Sequence, residues 1–405
     1  MKKKNVTVGM LAMASMCALA ACGSAKEVET QATSAVATTE ATPAQTESTT
    51  SKEEADKKVA EEMDALIEAI YVQERTEDTD AQIAAAKAAW DALTEEQKAL
   101  VEEADYFALD TGDASLDDAL NGDEIGEKEI LVVSFGTSFN DSRVNDIGGI
   151  EKAIAESFPE YSVRRAFTSQ IIINHIQARD GEVIDNMEQA LERAVANGVK
   201  ELVIQPTHLM HGAEYDEMVS QVEAYKDQFT KVVISEPLLG EVGADATTVN
   251  EDKKVVCEKA LADTVKAAGF DSVAACKDGN VAIVVVGHGT SHTAKVTYSQ
   301  LQAQVDELGY ENVFVGTVEG EPEGTSCEDI VAKVKEAGYT KVVLRPFMVV
   351  AGDHAHNDIA GEEEDSWASQ FKSNGLSSVE CQFNGLGSIA EVQEVYIAHL
   401  KDALK

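Results

Sequence analysis

The sequence predicts an α/β protein in which two similar halves, each with a parallel sheet, face each other across a cleft and follow a small all-α module. From residue 128 onward, short runs of apolar and β-branched residues alternate with longer amphipathic segments. Continuous apolar strands that alternate with helices are typical of a parallel sheet covered on both faces. A repeat within this region predicts the two halves, and a helical pattern before it predicts the module.

The first residues predict export and lipidation. A basic stretch at 2–4 is followed by an apolar stretch at 6–21, which is short for a membrane span and ends in small residues. The sequence Leu-Ala-Ala-Cys that follows resembles the bacterial lipoprotein signal, in which the cysteine receives the lipid. We therefore expect a signal peptide at 1–22, a lipid anchor on Cys22 and a location on the outer face of a bacterial membrane.

Three segments of different composition lie between this anchor and the α/β region. Residues 23–54 are mainly Thr, Ala, Ser and Glu, which predicts a disordered tether. At 55–110 apolar residues recur at three- and four-residue spacing, which predicts a small helical bundle with Trp90 in its core and Tyr106 partly exposed. Its sequence is similar to three-helix modules of extracellular bacterial proteins, and this similarity implies no chemistry. An acidic linker is expected at 111–127.

An internal repeat divides the rest of the chain into two α/β halves, at 128–245 and 246–405. The segment VVSFGTS in the first half matches VVGHGTS in the second, with Phe135 where the second copy has His288. The segment KELVIQPTHLMHGAEYD likewise parallels KVVLRPFMVVAGDHAHND, and this alignment places a glutamate opposite His354. We therefore predict two halves with one architecture and different chemistry at their strand ends.

Composition restricts the partners of the chain. The formal net charge is −40, so nucleic acid and anionic membrane surfaces are poor partners, whereas a metal cation is attracted. The six cysteines include no CxxC pair, so neither a zinc knuckle nor a dithiol redox motif is indicated. The sequence does not decide whether any of the cysteines form a disulfide. The glycine-rich motifs of nucleotide-binding folds are also lacking.

Two histidines and one glutamate follow three strong strand patterns of the second half. His288 follows VAIVVV, Glu319 follows VFVGTV, and His354 comes shortly after KVVLRPFMVV. Because ligands of open parallel sheets bind beyond the carboxyl ends of the strands, these three side chains are expected at one edge. Two imidazoles and one carboxylate predict a divalent-metal site with vacant coordination positions.

Four further residues are candidates for contacts with a ligand in the cleft. Gly287 and Gly289 flank His288, and glycine lets the backbone approach a flat ligand closely. His208 and His211 follow a strand of the first half at the equivalent edge. These two histidines are equally consistent with substrate contacts, proton carriers or polar turn residues.

Five segments of the α/β region resemble one known family. They are ILVVSFGTSFNDSR, RAFTSQIIINHIQARDG, VVGHGTSHTA, GTVEGEP and RPFMVVAGDHAHNDIAGEEEDSW. Together they resemble the anaerobic sirohydrochlorin cobaltochelatases known as CbiK, class II chelatases related to the ferrochelatases, over residues 128–405. The resemblance implies two flavodoxin-like halves with a tetrapyrrole in the cleft. It also implies that His288, Glu319 and His354 hold the metal beside the macrocycle.

The resemblance implies an activity and its substrates. The expected reaction is insertion of Co²⁺, or alternatively Fe²⁺, into sirohydrochlorin during cobalamin biosynthesis, with the metal as substrate and no organic cofactor. The carboxylate arms of the macrocycle need cations, for which Arg143 is the first choice and Arg345 a further candidate. Arg164 and Arg165 are also candidates, but for these two ordinary ion pairing at a strand is the favoured interpretation. Of the remaining histidines, His175 is expected to be structural and His399 to lie on a solvated helix face.

The predicted export leaves a second function open. Cobalamin synthesis is cytoplasmic, whereas a lipid anchor and a helical module are typical of a surface receptor. The alternative is therefore a surface-anchored protein that binds haem or another tetrapyrrole, for haem or metal uptake or for metal removal. A metal-binding lipoprotein without a macrocycle is the third reading, and a homo-oligomer is compatible with all of them.

Overall fold

The computed structural model describes residues 44–108, 111–243 and 245–405, and the side chains of residues 51 onward within those ranges. The predicted signal peptide and the lipidated Cys22 lie outside the described residues. In the described part of the chain, no helix is both long enough and apolar enough to cross a bilayer.

A helical module precedes the α/β region. Its elements are α1 (Ala44–Ile70), α2 (Thr79–Ala92), α3 (Glu95–Lys98) and two 3₁₀ turns, Ala104–Phe107 and Ala114–Leu116. Helix α1 begins inside the segment predicted as a tether at 23–54, so the structure differs from that prediction. An i,i+4 ion pair between Lys52 and Asp56, with an N···O distance of 3.1 Å, supports the helix near the end of this segment.

The first α/β half begins at β1 and ends at β4. Its elements are β1 (Lys128–Ser134), α4 (Asn140–Ser142), a π-helical turn (Arg143–Ile147), α5 (Gly148–Ser157), β2 (Ser162–Phe167), α6 (Gln170–Asp180), α7 (Met187–Ala196), β3 (Glu201–Pro206), α8 (Ala213–Tyr225), a 3₁₀ turn (Lys226–Gln228) and β4 (Lys231–Ile234). The strands form one parallel sheet in the order β2-β1-β3-β4.

The second half repeats this plan. Its elements are α9 (Glu251–Ala267), α10 (Val273–Asp278), β5 (Val281–Gly287), a 3₁₀ turn (Thr293–Lys295), α11 (Val296–Glu307), β6 (Val313–Thr317), α12 (Cys327–Glu336), β7 (Lys341–Pro346), a π-helical turn (His354–Ile359), α13 (Trp367–Ser373), β8 (Ser378–Cys381), a 3₁₀ turn (Leu386–Ser388) and α14 (Ala390–Ala403). The strands form a second parallel sheet in the order β6-β5-β7-β8.

The register of the central strands confirms the repeat. Val133 of β1 lies opposite Pro206 of β3, and Val286 of β5 lies opposite Pro346 of β7. These are the same positions that the sequence repeat pairs. The buried strands carry continuous apolar runs, and all seven residues of β5 are buried. Both sheets are therefore covered on both faces, as predicted.

The two halves share one hydrophobic core. Buried residues from both halves, among them Ile150, Val203, Val285 and Val392, belong to the same cluster. The hydroxyl of Tyr396 in α14 donates to the carbonyl of Thr207 in the first half at 2.9 Å. The last helix of the chain therefore fastens the second half to the first.

Two contacts between the halves occupy equivalent positions of the repeat. Phe139 in the first half stacks on His356 in the second, with ring centroids 4.3 Å apart. His292 in the second half lies 3.5 Å from a carboxylate oxygen of Asp216 in the first. In the repeat, Phe139 corresponds to His292, and Asp216 corresponds to His356. The loops at the carboxyl ends of the two sheets therefore meet in a pseudo-two-fold arrangement.

The helical module packs against α6 of the first half. The side chain of Asn174 donates to the carbonyl of Ile70 at 2.9 Å, and buried Ala178 belongs to the core cluster of the module. The ring of Tyr106 stacks on His175 at 4.4 Å, so Tyr106 is buried and not partly exposed as expected. Trp90 stacks on an aromatic neighbour in the module core, as predicted.

The segment predicted as a passive linker is part of the fold. Asp117 forms ion pairs with Arg143 at 2.6 Å and with Arg165 at 2.8 Å, and all three side chains are buried. The backbone N–H of Arg165 also donates to the carbonyl of Leu120. Residues 111–127 thus neutralise buried charges of the first half.

Candidate functional site

The candidate site lies at the carboxyl end of the second sheet, where β5 ends at Gly287 and presents His288. Gly287 is required by packing, because a Cβ there would lie 2.2 Å from the ring of Tyr298. Gly289 has a φ of +93°, and a Cβ there would meet the Cβ of Glu319 at 2.9 Å. These glycines were predicted to admit a flat ligand, but the protein's own atoms fill the space beside them.

Glu319 lies next to His288 because β6 continues to pair with β5 beyond its last residue. The N–H of Glu319 donates to the carbonyl of His288 at 2.9 Å, and the N–H of Val318 donates to that of Gly287 at 2.9 Å. The sequence places these residues about thirty positions apart, and the parallel pairing brings them side by side.

His354 completes the group from the third strand. It opens the π-helical turn after β7, and its ring lies edge to face with that of His288, with centroids 4.5 Å apart. Burial by itself lowers the pKa of His354, but the hydrogen bond and charge of Asp358, with the charges of Asp353 and Glu319, outweigh it and raise the pKa. The three predicted ligands thus follow neighbouring strands, β6, β5 and β7, at one edge of the second sheet.

Hydrogen bonds leave the same nitrogen of each imidazole available. Nδ1 of His354 is 2.6 Å from a carboxylate oxygen of Asp358, and Nδ1 of His288 is 2.8 Å from the carbonyl of Gly289. Such contacts fix the tautomer in which Nε2 carries the lone pair. Two Nε2 atoms and the carboxylate of Glu319 would together supply three metal ligands and leave positions open for a further molecule.

The comparisons with known proteins bear on the family and the activity of the chain. A family model described as cobalt chelatase (CbiK) matches residues 128–405. The chain belongs to the CbiK cobalt chelatase family. This membership confirms the predicted metal chelatase, and the two parallel four-stranded sheets confirm the predicted α/β fold.

Two curated relatives of the CbiK family match almost over their full length. A sirohydrochlorin cobaltochelatase of Salmonella typhimurium is 33% identical over 278 residues, which cover 69% of this chain and 97% of the relative. The sirohydrochlorin cobaltochelatase CbiKC of Nitratidesulfovibrio vulgaris is 28% identical over 280 residues, which cover 69% of this chain and 91% of the relative. The helical module lies outside the region that the family model matches.

Solved structures of SirB from Bacillus subtilis are also similar. The structure with Fe³⁺ is 14% identical and has a TM-score of 0.47, with 69% of this chain and 96% of that chain covered. The structure of the sirohydrochlorin chelatase SirB from the subspecies spizizenii in complex with cobalt is 11% identical and has a TM-score of 0.43, with 69% and 95% covered.

Arg143 and Arg345 are buried ion-pair partners, so the prediction that they bind carboxylate arms is wrong. Arg164 and Arg165 are also buried ion-pair partners, which is the interpretation favoured for these two. Arg143, named first among them, is fully buried and also donates to the side chain of Asn140 at 2.7 Å. Arg164 and Arg165 lie within β2 and Arg345 within β7, and all are at most 1% exposed. Their partners are Asp185 at 2.9 Å, Glu151 at 2.7 Å and Asp263 at 2.9 Å. Strand-interior arginines need these carboxylates because an unpaired buried charge is costly.

His208 and His211 lie at the carboxyl edge of the first sheet, as predicted, and differ in environment. Burial lowers the pKa of His208 to about 4, and neither of its ring nitrogens has a hydrogen-bond partner. His211 stacks on Tyr215, with ring centroids 4.4 Å apart, and its Nε2 lies 2.8 Å from a carboxylate oxygen of Glu236. The contacts described for both histidines are with residues of the first half.

The predictions for His175 and His399 had different outcomes, the first confirmed and the second wrong. His175 is structural: burial and then the charge of Arg179 lower its pKa to about 4. His399 is not on a solvated face, since its side chain is 10% exposed and Nε2 lies 3.3 Å from a carboxylate oxygen of Asp252. The four cysteines of the described chain, the first of which is Cys257, are unpaired.

Sequence reasoning missed several residues that shape the site. Asp358, four residues after His354, had a detectable signal, because that spacing places two side chains on one helical face. His356 lies between two phenylalanine rings, Phe139 at 4.3 Å and Phe383 at 4.7 Å. No local sequence pattern indicates this row of three aromatic rings, because Phe139, His356 and Phe383 come from three distant segments.

Proposed function

We propose that residues 128–405 act as a sirohydrochlorin cobaltochelatase, which inserts Co²⁺ into the tetrapyrrole. The observation that carries the proposal is the meeting of His288, Glu319 and His354 at one sheet edge in a member of the CbiK family. Both curated relatives bear the name sirohydrochlorin cobaltochelatase. Fe²⁺ is the alternative metal.

Metal insertion requires that the macrocycle lose two pyrrole protons as it accepts the divalent ion. The two Nε2 atoms and the carboxylate of Glu319 would hold the ion with vacant positions facing the ring nitrogens. Each of the two imidazoles would take up one of these protons once the ion has left it, and the raised pKa of His354 suits this role. Asp358, hydrogen-bonded to its Nδ1, would stabilise the resulting imidazolium.

An aromatic row beside the site supports a flat substrate. The ring of Phe383 is 43% exposed and lies against His356, two residues after His354. Phe135, at the position equivalent to His288 in the first half, is 46% exposed. Large exposed aromatic side chains are typical of surfaces that receive an apolar ligand. A tetrapyrrole is a ligand of this kind, because its flat face is apolar.

The alternative function is a surface-anchored haem- or tetrapyrrole-binding lipoprotein. The burial of the four arginines favours this alternative, because sirohydrochlorin carries more carboxylate groups than haem and would need more cations. Both proposed functions are compatible with a lipid anchor on Cys22 and a location on the outer face of a bacterial membrane. Replacing Cys22 with Ala should release the protein from the membrane fraction, and retention there would contradict the anchor.

One experiment separates the two functions. The chain without residues 1–22 is incubated with sirohydrochlorin and Co²⁺, and separately with haem, while absorption spectra are recorded. Spectral conversion to the cobalt complex, faster than the uncatalysed reaction, supports the chelatase. A stable change of the haem spectrum without any insertion supports the binding protein.

Variants of the site residues test the assignment within the same assay. His288→Ala and His354→Ala should each remove insertion, and His399→Ala is the matched control because His399 is paired with Asp252 on α9. If both site variants insert cobalt at the rate of the control, the assignment of the site is wrong.

A further inference from the structure

A second group of metal-ligand side chains lies in the first half. His211, Glu236 and Glu241 each bring one ligand atom to within 4.8 Å of the others. His211 follows β3, and the two glutamates follow β4, which is paired with β3 at Ile204 and Ile234. We propose that these three side chains form a second divalent-metal site, separate from the one at His288.

The contact between His211 and Glu236 has the geometry of two ligands that share an ion. Their Nε2 and Oε2 atoms are 2.8 Å apart, which is ion-pair distance when the imidazole is protonated, and neither atom has another hydrogen-bond partner. Nitrogen and oxygen ligands lie about 2.0–2.2 Å from a zinc-sized ion, so two ligands at right angles to each other are about 3 Å apart. A cation between the two atoms would satisfy both of them.

Buried contacts hold the loop that carries Glu241. The ammonium of Lys253, which is 1% exposed, donates to the carbonyls of Leu239 and Glu241 at 3.2 and 2.7 Å. The side-chain amide of Asn250 donates to the same two carbonyls at 2.8 and 3.0 Å. Gly240 between them has a φ of +57°, which a residue with a side chain rarely adopts. The loop is therefore held in one conformation, with Glu241 next to Glu236.

Tyr215 forms one wall of this group. Its ring stacks on His211 and fixes the orientation of the imidazole. Such support from neighbouring side chains is what keeps metal ligands in position.

The ligand set indicates the class of ion. One imidazole and two carboxylates suit divalent transition ions such as Zn²⁺, Mn²⁺, Fe²⁺ and Co²⁺. The site at His288 has the opposite ratio, with two imidazoles and one carboxylate. The net charge of −40 raises the local concentration of cations around both sites. The chain therefore has the ligands to bind two ions of the same class.

Metal counting tests this proposal independently of any chelatase activity. The metal-free chain without residues 1–22 carries His288→Ala and His354→Ala, and it is dialysed against Co²⁺ before the bound cobalt is measured. One ion per chain should remain. Adding Glu236→Gln should weaken its binding at least about tenfold, and adding His211→Ala should also change the visible Co²⁺ spectrum, because a nitrogen ligand is lost.

A matched control limits the effect to the three ligands. Glu214→Gln removes a nearby carboxylate that lies 3.9 Å from His208 and is not part of the group, so cobalt binding should not change. Two results would overturn the second site: no cobalt bound in the double variant, or binding that is equal with and without Glu236→Gln. Neither result depends on whether the chain inserts metal into a tetrapyrrole.

Discussion

A carboxylate oxygen of Asp146 accepts the backbone N–H of Ala351 at 3.0 Å, across the boundary between the two halves. The second oxygen of Asp146 accepts the N–H of Gly385 at 3.2 Å. Ala351 begins the segment Ala-Gly-Asp-His that carries His354. A side chain of the first half therefore positions a predicted metal ligand of the second half.

Replacing Asp146 with Ala should slow metal insertion and destabilise the fold. The change leaves two buried N–H groups without acceptors, at a cost of about 1–3 kcal/mol for each. Asp146→Asn keeps one carbonyl acceptor and should fall between Asp146→Ala and the wild type in both respects. The measurements are insertion rate and urea unfolding. A rate equal to that of the wild type in Asp146→Ala would contradict the positioning role.

The stability difference between the wild type and Asp146→Asn should depend on pH. Burial raises the pKa of Asp146 to about 7 despite its hydrogen bonds. The folded state therefore holds this proton more tightly than the unfolded state, whose pKa is near 4. The contribution of protonated Asp146 is fully present below pH 4 and is lost as the pH rises through 7. The stability of the wild type relative to the variant should fall across this window, and a flat difference would contradict the shift.

Replacing Asp358 with Asn should change the pH dependence of metal binding. Asp358 raises the pKa of His354, and a protonated imidazole cannot bind a metal. The variant should therefore begin to bind Co²⁺ at lower pH than the wild type, with a lower maximal affinity because the ring is less well oriented. Asp353→Asn is the control for the charge alone, since no hydrogen bond to His354 is lost. An unchanged pH midpoint in Asp358→Asn would refute the prediction.

Two aspartates of the segment at 111–127 provide a matched test of its structural role. Asp117→Ala leaves Arg143 and Arg165 short of a buried partner and should cost about 3–5 kcal/mol of unfolding free energy. Asp123→Ala removes an exposed partner of Arg193, with Asp123 65% exposed, and should cost at most about 1 kcal/mol. Equal losses in the two variants would mean that the segment contributes no buried charge pairing.

The sequence allowed prediction of the fold, and of the sheet edge at which the three candidate ligands lie, because both rest on local patterns. Strand runs such as VAIVVVG determine a buried parallel sheet, and the carboxyl ends of neighbouring strands necessarily meet. The location of His288, Glu319 and His354 at one edge was therefore expected without knowledge of distances, and their role as metal ligands stays a prediction. The register that brings Glu319 beside His288 was not needed for the prediction, since any parallel pairing places them on one edge.

The prediction that Arg143 and Arg345 bind carboxylate arms was wrong because charge alone does not reveal burial. Arg164 and Arg165 are neighbours in β2 and point to opposite faces of the sheet, yet both are buried, since each face supplies its own carboxylates, Asp185 and Glu151. Those partners are distant in sequence. The role of Asp146 was missed for the same reason: its acceptors are satisfied by backbone groups about two hundred residues away.

The pseudo-two-fold contacts have a consequence for how such a site arises. Phe139 with His356, and His292 with Asp216, join equivalent positions with the two halves exchanged, as in the interface of a symmetric homodimer. The chain thus has the form of a dimer whose subunits were fused end to end. Fusion lets the copies diverge, so that one keeps an imidazole at 288 while the other has Phe135. A dimer of identical half-length subunits would have to carry the same residue on both sides of the cleft.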